Sequence, residues 1–343
     1  MNKKPGLVFD NRYFHHRISE SSLENPERLR NLYRTLDSTE YQNLFIKVPP
    51  RMAVTDEIES LHSSFYVNQL RGHALRTDPF SYDRDTYLME ETLPTAELAV
   101  GGCLELADKI MAEEINYGFA LIRPPGHHAE PGRGMGFCVF NNVALTAKYL
   151  LDTYKLRRIL IVDFDIHHGN GTQEAFYDSD QVMFLSLHQS SLFPFTGKES
   201  ETGEEDGRGY TINVLVFSQF GDPEYTYLLG HLLQNLVEQY QPQVILVSAG
   251  YDGHIDESIS STLLSTKWFG VATAMLRQAA REVCDNKLLF ILEGGYNPVS
   301  LEASILETFN SLITKEIPQT GIFPVKRAEK LLAQHPLREF WSI

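Results

Sequence analysis

Short apolar runs alternate with amphipathic stretches along most of the chain. Seven runs rich in β-branched and aliphatic residues predict strands at 6–10, 117–122, 158–165, 182–188, 210–214, 244–250 and 288–295. Amphipathic stretches between them predict helices, for example at 94–111, 142–154, 223–240 and 265–284. The strands are apolar throughout rather than alternating, which is typical of a parallel sheet with helices on both faces. The pattern therefore predicts an α/β fold with a central parallel sheet.

The composition and length fit a globular protein with a large core. The 343 residues are 43% hydrophobic and 22% charged, which argues against disorder. No apolar run reaches the ~18–20 residues of a membrane span, and the first residues lack the apolar stretch of a secretory signal, so we expect a cytoplasmic location. Without a repeat or a linker, we expect a single domain over 1–343. The polar stretch 196–209 is interpreted as a surface loop and a candidate contact in a homo-oligomer.

The charge and the cysteines exclude several kinds of function. The formal net charge is −15, so the surface repels nucleic acid and anionic membranes and favours a cationic or neutral substrate. The same charge also agrees with a surface that only keeps the protein in solution. Cys103, Cys138 and Cys284 form no CxxC pair, and their odd number cannot close as disulfides alone. We expect reduced thiols and look for the chemistry elsewhere.

Unusual polar clusters follow four of the predicted strands. They are "RPPGHH" after 117–122, "DFDIHHGNG" at the end of 158–165, "AGYDGH" after 244–248 and "EGGYN" after 288–292. A single cluster of this kind is often only a glycine-rich turn. Because ligands of open parallel sheets bind at the carboxyl ends of the strands, four such clusters predict one shared pocket.

Two of these clusters predict a metal site. Asp165 and His167 are two residues apart where a strand gives way to a loop, and Asp252 is the best-placed acid at another strand end. Two carboxylates and one imidazole make a neutral Zn²⁺ site, although Fe²⁺ or Co²⁺ could also occupy it. The sequence leaves His168 open in place of His167, and Asp256 in place of Asp252. An Asp-x-His pair alone is weak evidence for a metal site, because buried Asp–His hydrogen bonds are common in proteins that bind no metal.

The other two clusters predict an acid–base site. His127 and His128 follow a Pro-Pro-Gly turn, and histidine is the usual general acid–base because its pKa lies near neutrality. Asp163 is a candidate partner for His127, and Asn170 is a neutral candidate partner for His128. Tyr296 follows two glycines, and its phenol could stabilise an oxyanion beside the metal. The alternatives are a solvent-facing histidine pair and a packed turn aromatic.

Together these blocks resemble the zinc-dependent histone deacetylase family, also called lysine deacetylases. The resemblance covers about residues 5–310, and the combination "RPPGHH…GFCVFNN", "DFDIHHGNGT", "SAGYDGH" and "EGGYN" carries it. It implies the arginase/deacetylase fold around an eight-stranded parallel sheet. It also implies a narrow tunnel for acyl-lysine and hydrolysis of the Nε-acetyl-lysine amide of a peptide or protein substrate, with release of acetate.

The resemblance also implies roles for individual residues. It makes Asp165, His167 and Asp252 the zinc ligands, His128 the general base and then acid of the His127–His128 pair, and Tyr296 the residue that polarises the acyl carbonyl. Substrate contacts carry over to the backbone of Gly136, the tunnel walls Phe137 and Phe193, the rim residue Asp85 and the inner-cavity residue Arg28. A structural K⁺ or Na⁺ site carries over to Asp163, Asp165, His167, Ser186 and Leu187.

Details within the motifs indicate a branch of the family. Asn170 stands where class I enzymes have aspartate, and "EGGYN" replaces their "GGGYN", so the chain resembles class II enzymes and their bacterial relatives. Polyamine-specific relatives carry a gatekeeper glutamate beyond the last zinc aspartate. Here Ile259 falls at that position, and Glu257 lies two residues short of it. Hydrolysis of acetylpolyamines or other small N-acyl amines remains the alternative, and a catalytically silent acyl-lysine binder is a third.

Overall fold

The computed structural model describes residues 3–17, 22–74, 80–318 and 320–343. Within these ranges eight strands form one parallel sheet in the order β2-β1-β5-β10-β9-β6-β7-β8. They are β1 (Gly6–Val8), β2 (Ile46–Lys47), β5 (Tyr117–Ala120), β6 (Ile159–Asp163), β7 (Val182–Gln189), β8 (Thr211–Val216), β9 (Val244–Ala249) and β10 (Leu288–Leu292). A separate antiparallel pair consists of β3 (Phe80–Ser81) and β4 (Tyr87–Leu88).

Helices cover both faces of this sheet. In the described ranges they are α1 (Glu27–Leu36), α2 (Thr55–Glu59), α3 (Ser64–Ala74), α4 (Thr92–Met111), α5 (Asn142–Tyr154), α6 (Asn170–Phe176), α7 (Asp222–Tyr240), α8 (Thr266–Val283), α9 (Pro298–Ile313) and α10 (Lys326–Ala333). Helices α7, α8, α9 and α1 pack in succession, whereas α4 packs against α5. Both groups contact β9 and β10, so the central strands are buried from two sides, in agreement with sequences that are apolar except for Ser248.

The predicted fold class is confirmed, and so are all seven predicted strands. The predicted strand 288–295 ends three residues early, at Leu292, because the following residues turn into the site. The prediction missed β2, whose two residues are both exposed at the edge of the sheet and carry no apolar run. The stretch 196–209 is a loop with a single short 3-10 turn at Glu205–Gly207.

The register of the sheet brings the four polar clusters to one edge. Asp163, the last residue of β6, pairs with Ser186 of β7 on one side and Ser248 of β9 on the other. Leu292 at the end of β10 pairs with Ala249 at the end of β9. Since these strands are parallel, the loops that follow them meet at the same carboxyl edge.

The two outer strands of the sheet are shielded in different ways. Beside β8, the imidazole Nε2 of His335 donates to the carbonyl oxygen of Asn213 over 2.8 Å. The indole Nε1 of Trp341 donates to the carbonyl oxygen of Gly209, just before β8, over 2.7 Å. At the opposite edge, β2 is only two residues long. Little unpaired backbone is therefore presented at either edge.

Two expectations about the chain as a whole can be compared with this structure. Cys103, Cys138 and Cys284 are buried free thiols, in agreement with the absence of a CxxC pair. Among the described residues, none of the helices combines the length and the apolar character that crossing a bilayer requires.

Candidate active site

Three predicted metal ligands converge at the carboxyl edge of the sheet. Asp165 and His167 follow β6, Asp252 follows β9, and one ligand atom from each lies within 4.8 Å of the other two. The Nδ1 atom of His167 is 3.1 Å from Asp165 Oδ1 and 3.0 Å from Asp252 Oδ2. Two carboxylates and one imidazole at this spacing fit Zn²⁺, which prefers nitrogen and oxygen ligands and keeps a coordination position open in catalytic sites.

The two alternatives that the sequence left open lie elsewhere. His168 turns away from the cluster, because its Nδ1 is 2.8 Å from Thr196 Oγ1 and its Nε2 is 3.0 Å from Gln173 Oε1. Asp256 has a side chain that is 65% exposed and lies beside His254. Of the candidate ligands, the structure therefore brings together the set that the family resemblance implied.

Backbone N–H groups hold the ligand carboxylates in place. The N–H of Gly294 donates to Asp165 Oδ2 over 2.8 Å, and the N–H of His167 donates to Asp165 Oδ1 over 2.9 Å. The N–H of Ile166 donates to Asp252 Oδ1 over 2.9 Å. These donors come from the loops after β6 and β10, so the ligand geometry is fixed by the fold.

The ligand cluster is buried and attracts cations. Asp165 and Asp252 are almost inaccessible to solvent. Burial and the nearby charge of Asp165 raise the pKa of Asp252 to about 7. Burial opposes protonation of His167, but its hydrogen bonds to Asp165 and Asp252 prevail and raise its pKa to about 10. Two buried acids around one imidazole thus create a centre that favours positive charge.

The tandem histidines lie beside this cluster and differ from one another. The Nδ1 atom of His127 is 3.0 Å from Asp163 Oδ2, and the Nδ1 atom of His128 is 2.9 Å from Asn170 Oδ1. Burial disfavours the charged form of His127, but Asp163 and Asp165 outweigh it and raise its pKa to about 10. Burial and the adjacent charge of His127 lower the pKa of His128 well below its usual value. The pair therefore holds one charged and one neutral imidazole.

The orientation of Asn170 sets the tautomer of His128. The Nδ2 atom of Asn170 donates to Glu130 Oε1 over 2.9 Å, so its Oδ1 atom faces His128. An amide oxygen is only an acceptor, and His128 must then carry its proton on Nδ1 and leave Nε2 free. Glu130 was missed by the sequence analysis, although it stands two residues after the histidine pair in "HHAE".

The carboxylate of Glu293 holds the backbone of the turn that carries the histidine pair. Its Oε2 atom accepts the N–H groups of Gly126 and His127, over 2.6 and 3.1 Å. Burial raises the pKa of Glu293 to about 7. In the sequence Glu293 marks only the class II branch, because nothing local to "EGGYN" indicates a contact with "RPPGHH".

His62 fastens the loop that follows the histidine pair. Its Nδ1 atom donates to the carbonyl oxygen of Glu130 over 3.1 Å, and its Nε2 atom accepts the N–H of Asn141 over 2.9 Å. Both bonds require the neutral Nδ1–H tautomer. Burial of this imidazole lowers its pKa to about 4.

Tyr296 faces the cluster from the loop after β10. Its ring centroid is 5.7 Å from that of Phe137, and the guanidinium carbon of Arg28 lies 4.9 Å from the ring centre. Burial, together with the negative charge of Asp252, raises the pKa of this phenol well above its usual value. The hydroxyl therefore stays protonated and available as a hydrogen-bond donor.

The predicted tunnel residues surround the same centre. Gly136 and Phe137 both have positive φ, of 55° and 69°. The ring of Phe193 meets that of His128 edge to face at 5.1 Å. A Cβ atom on Gly136 would lie 2.7 Å from atoms of both His128 and Phe193, so only glycine allows this close approach.

The loop between β3 and β4, which carries the predicted rim residue Asp85, also holds the Gly136–Phe137 turn. Asp83 Oδ2 accepts the N–H of Gly136, and Thr86 Oγ1 accepts the N–H of Phe137, each over 3.0 Å. Asp85 lies between them with an exposed side chain. Asp85 is therefore at the surface, as a rim residue must be, and its predicted contact with the substrate stays a prediction.

The remaining predicted site residues lie behind the centre. Arg28 is buried, and its guanidinium donates to the carbonyl oxygens of Gly295 and Glu293 over 2.5 and 2.6 Å. Ser186 is buried in β7 beside Asp163, with its Oγ atom 2.9 Å from His188 Nδ1.

The protein is of the α/β class, with an eight-stranded parallel sheet. Its candidate metal site, two carboxylates and an imidazole, lies at the carboxyl edge of that sheet. Residues 22–312 match the family model of the histone deacetylase domain. A probable deacetylase of Archaeoglobus fulgidus is 36% identical over 300 residues, which cover 85% of this chain and 81% of that protein. Histone deacetylase 14, chloroplastic, of Arabidopsis thaliana is 39% identical over 236 residues, which cover 67% of this chain and 56% of that protein.

The solved structures agree with the sequence relatives. The crystal structure of the HDA15 HD domain matches with a TM-score of 0.91 at 30% identity, over 99% of this chain and 95% of that chain. The chain therefore belongs to the histone deacetylase family and has the arginase/deacetylase fold. Its relatives are named deacetylases, which supports an enzyme that hydrolyses amides.

Proposed function

We propose that this chain is a zinc-dependent lysine deacetylase that releases acetate from Nε-acetyl-lysine in peptides or proteins. The observation that carries the proposal is the convergence of Asp165, His167 and Asp252 beside the histidine pair and Tyr296. Zinc bound by these three residues would supply a Lewis acid that polarises the amide carbonyl and makes water a better nucleophile. A structural K⁺ or Na⁺ at Asp163, Asp165, His167, Ser186 and Leu187 is part of the same proposal.

The histidine pair divides the proton chemistry. His128 is neutral and presents Nε2, so it accepts a proton from the attacking water and then donates it to the leaving lysine amine. His127 stays charged beside Asp163 and stabilises negative charge that develops on the substrate. The two imidazoles are not interchangeable, because only one of them has a low pKa.

Tyr296 completes the site as a hydrogen-bond donor. Its protonated phenol is directed to the acyl oxygen, whose negative charge increases as water attacks. Phe137 and Phe193 would flank the aliphatic part of the lysine, the backbone oxygen of Gly136 would accept a substrate hydrogen bond, and Asp85 would contact the substrate at the rim. Arg28 would face the acetate product.

The surroundings of Glu257 favour a lysine substrate over a polyamine. A polyamine-specific site needs a carboxylate directed to the distal ammonium of the substrate. Glu257 Oε1 instead accepts the N–H groups of Tyr296 and Asn297, so this oxygen is occupied by the protein. Ile259, at the gatekeeper position, carries no charge.

The primary test is acetate release by the zinc-loaded protein from an acetyl-lysine peptide and from acetylputrescine, each with and without a hydroxamate chelator. We expect chelator-sensitive turnover that favours the peptide. If acetylputrescine is the better substrate, the metal chemistry stands and the lysine assignment is wrong. If the peptide binds tightly and no acetate appears, the chain is a silent acyl-lysine binder.

A second test addresses the tyrosine. Tyr296→Phe removes one donor to the oxyanion, so turnover should fall by about 10²–10³-fold while zinc content stays unchanged. Tyr227→Phe on α7 is the matched control, because its partly buried ring stacks on His231 away from the site. Wild-type turnover in Tyr296→Phe would remove the phenol from the mechanism.

The wider assignments follow from the same proposal. We propose one domain over 1–343, since the histone deacetylase match spans most of the chain and residues near its end bond to Gly209 and Asn213. We also propose a class II-like bacterial enzyme in the cytoplasm that binds neither nucleic acid nor membrane. The net charge of −15 supports the last two points. We also propose that the loop 196–209 mediates a homo-oligomer, and sedimentation velocity would show whether the protein forms one.

A further inference from the structure

One buried glutamate connects the loop of the third metal ligand to the loop of the tyrosine. Glu257 lies five residues after Asp252, and only 8% of its surface is exposed. Its Oε1 atom accepts the N–H of Tyr296 over 2.7 Å and the N–H of Asn297 over 2.9 Å. The Nδ2 atom of Asn297 also donates to the carbonyl oxygen of Asp256, over 3.2 Å. The two loops are therefore joined by three hydrogen bonds.

The backbone on either side of Tyr296 explains why such an anchor matters. Gly295 precedes it with φ of 113°, a conformation that glycine adopts freely and other residues rarely do. Asn297 follows it as the N-cap of α9, and its Oδ1 accepts the N–H of Val299 over 3.1 Å. The helix start is thus fixed, the preceding glycines are permissive, and Tyr296 lies between them. The carboxylate of Glu257 bonds the backbone at this junction.

We propose that Glu257 is a positioning residue for Tyr296. By accepting two successive N–H groups it holds the tyrosine backbone at a set distance from the loop that carries Asp252, and so directs the phenol to the acyl oxygen. The inference rests on the proposed function, because it assumes that the Tyr296 hydroxyl acts on the substrate. It assigns to Glu257 a role in turnover rather than in substrate binding or metal affinity.

A double-mutant cycle tests this role. Glu257→Ala removes both acceptor contacts, and Glu257→Gln keeps an amide oxygen at the same place. With an acetyl-lysine peptide and zinc-loaded protein, Glu257→Ala should lower kcat about tenfold or more, with KM and zinc content close to the wild type. Glu257→Gln should restore most of the loss. In a Tyr296→Phe background Glu257→Ala should cause no further loss, because the hydroxyl that it positions is absent.

The opposite results would overturn the inference. An equal loss of kcat from Glu257→Ala with and without the Tyr296 hydroxyl would mean that Glu257 acts by another route. A change confined to KM would make it a substrate-binding residue instead. Asp222→Ala is the matched control, since Asp222 accepts the N–H and the hydroxyl of Ser265 at the start of α8 over 2.8 and 2.6 Å. It should lower the Tm without altering kcat.

A measurement that needs no turnover separates this inference from the proposed function. Amide hydrogen exchange at Tyr296 and Asn297 should be slow in the wild type and in Asp222→Ala, and at least tenfold faster in Glu257→Ala. Unchanged exchange in Glu257→Ala would overturn the positioning role even in an active enzyme. If the wild type releases no acetate but Glu257→Ala still shows the faster exchange, the proposed function is refuted and the anchor stands.

Discussion

A methyl group added at Gly294 is the most direct test of the proposed metal centre. A Cβ atom at this position would lie 2.3 Å from Asp252 Oδ2 and 2.5 Å from Asp165 Oδ2, whereas real Cβ contacts are essentially never shorter than 3.0 Å. In Gly294→Ala the two carboxylate oxygens must therefore retreat by at least about 0.7 and 0.5 Å, which exceeds the ~0.2 Å tolerance of metal–ligand distances.

The surroundings of the two carboxylates prevent an easy retreat. Asp165 is held by the N–H of Gly294 itself, and Asp252 is held by the N–H of Ile166. We therefore expect Gly294→Ala to weaken zinc binding by on the order of 10–100-fold, which corresponds to about 1.4–2.8 kcal/mol. Competition with a chelating dye measures the affinity, and circular dichroism of the metal-free protein checks the fold.

The matched control is an exposed glycine in a turn, Gly132. Gly132 has no atom within 4 Å of an added Cβ, so Gly132→Ala should bind zinc like the wild type. Wild-type zinc affinity in a folded Gly294→Ala protein would refute the assignment of Asp165 and Asp252 as ligands. If zinc affinity falls equally in both variants, the assay reports a general destabilisation of the protein.

Three further predictions concern protons and a tunnel contact. Because folding favours the neutral form of His62, the contribution of this residue to stability is complete above about pH 6.5 and is lost as the pH falls towards 4. Between pH 7 and pH 5, the free energy of unfolding in urea should therefore fall by about 2 kcal/mol less for His62→Gln than for the wild type. Protons compete with metal at Asp252 and His167, so zinc affinity by dye competition should rise from pH 6 to 8, and a flat profile would contradict the raised pKa values. Thr86→Val leaves the N–H of Phe137 without its acceptor and should cost about 1–3 kcal/mol of unfolding free energy by urea titration, whereas an unchanged midpoint would show that the hydrogen bond contributes little.

The parts of the site that the sequence could predict lie at strand ends. Asp165, His167 and Asp252 follow apolar runs, and a parallel sheet brings the ends of such runs together whatever the details of packing. The same reasoning placed the histidine pair and Tyr296 on one edge. Sequence position predicts which segments meet, but the choice of His167 over His168 and of Asp252 over Asp256 came from the family resemblance.

The supporting acids could not be predicted in this way. Glu130, Glu257 and Asp83 lie in loops, and each accepts N–H groups from a segment that is distant in sequence or on another loop. A surface loop offers many acids at similar spacing, so nothing local distinguishes Asp83 from Asp85. The short strand β2 was missed for a related reason, because its pairing with β1 depends on tertiary context and not on its own residues.

The shielding of β8 has a consequence for the handling of this protein. The bonds from His335 and Trp341 cover backbone carbonyls at the outer edge of the sheet. If proteolysis between α9 and α10 were followed by loss of the C-terminal segment, the six residues of β8, four of them apolar, would be left uncovered at the edge. An uncovered strand can pair with the same strand of another molecule, so such a sample would aggregate although every residue of the candidate site is intact.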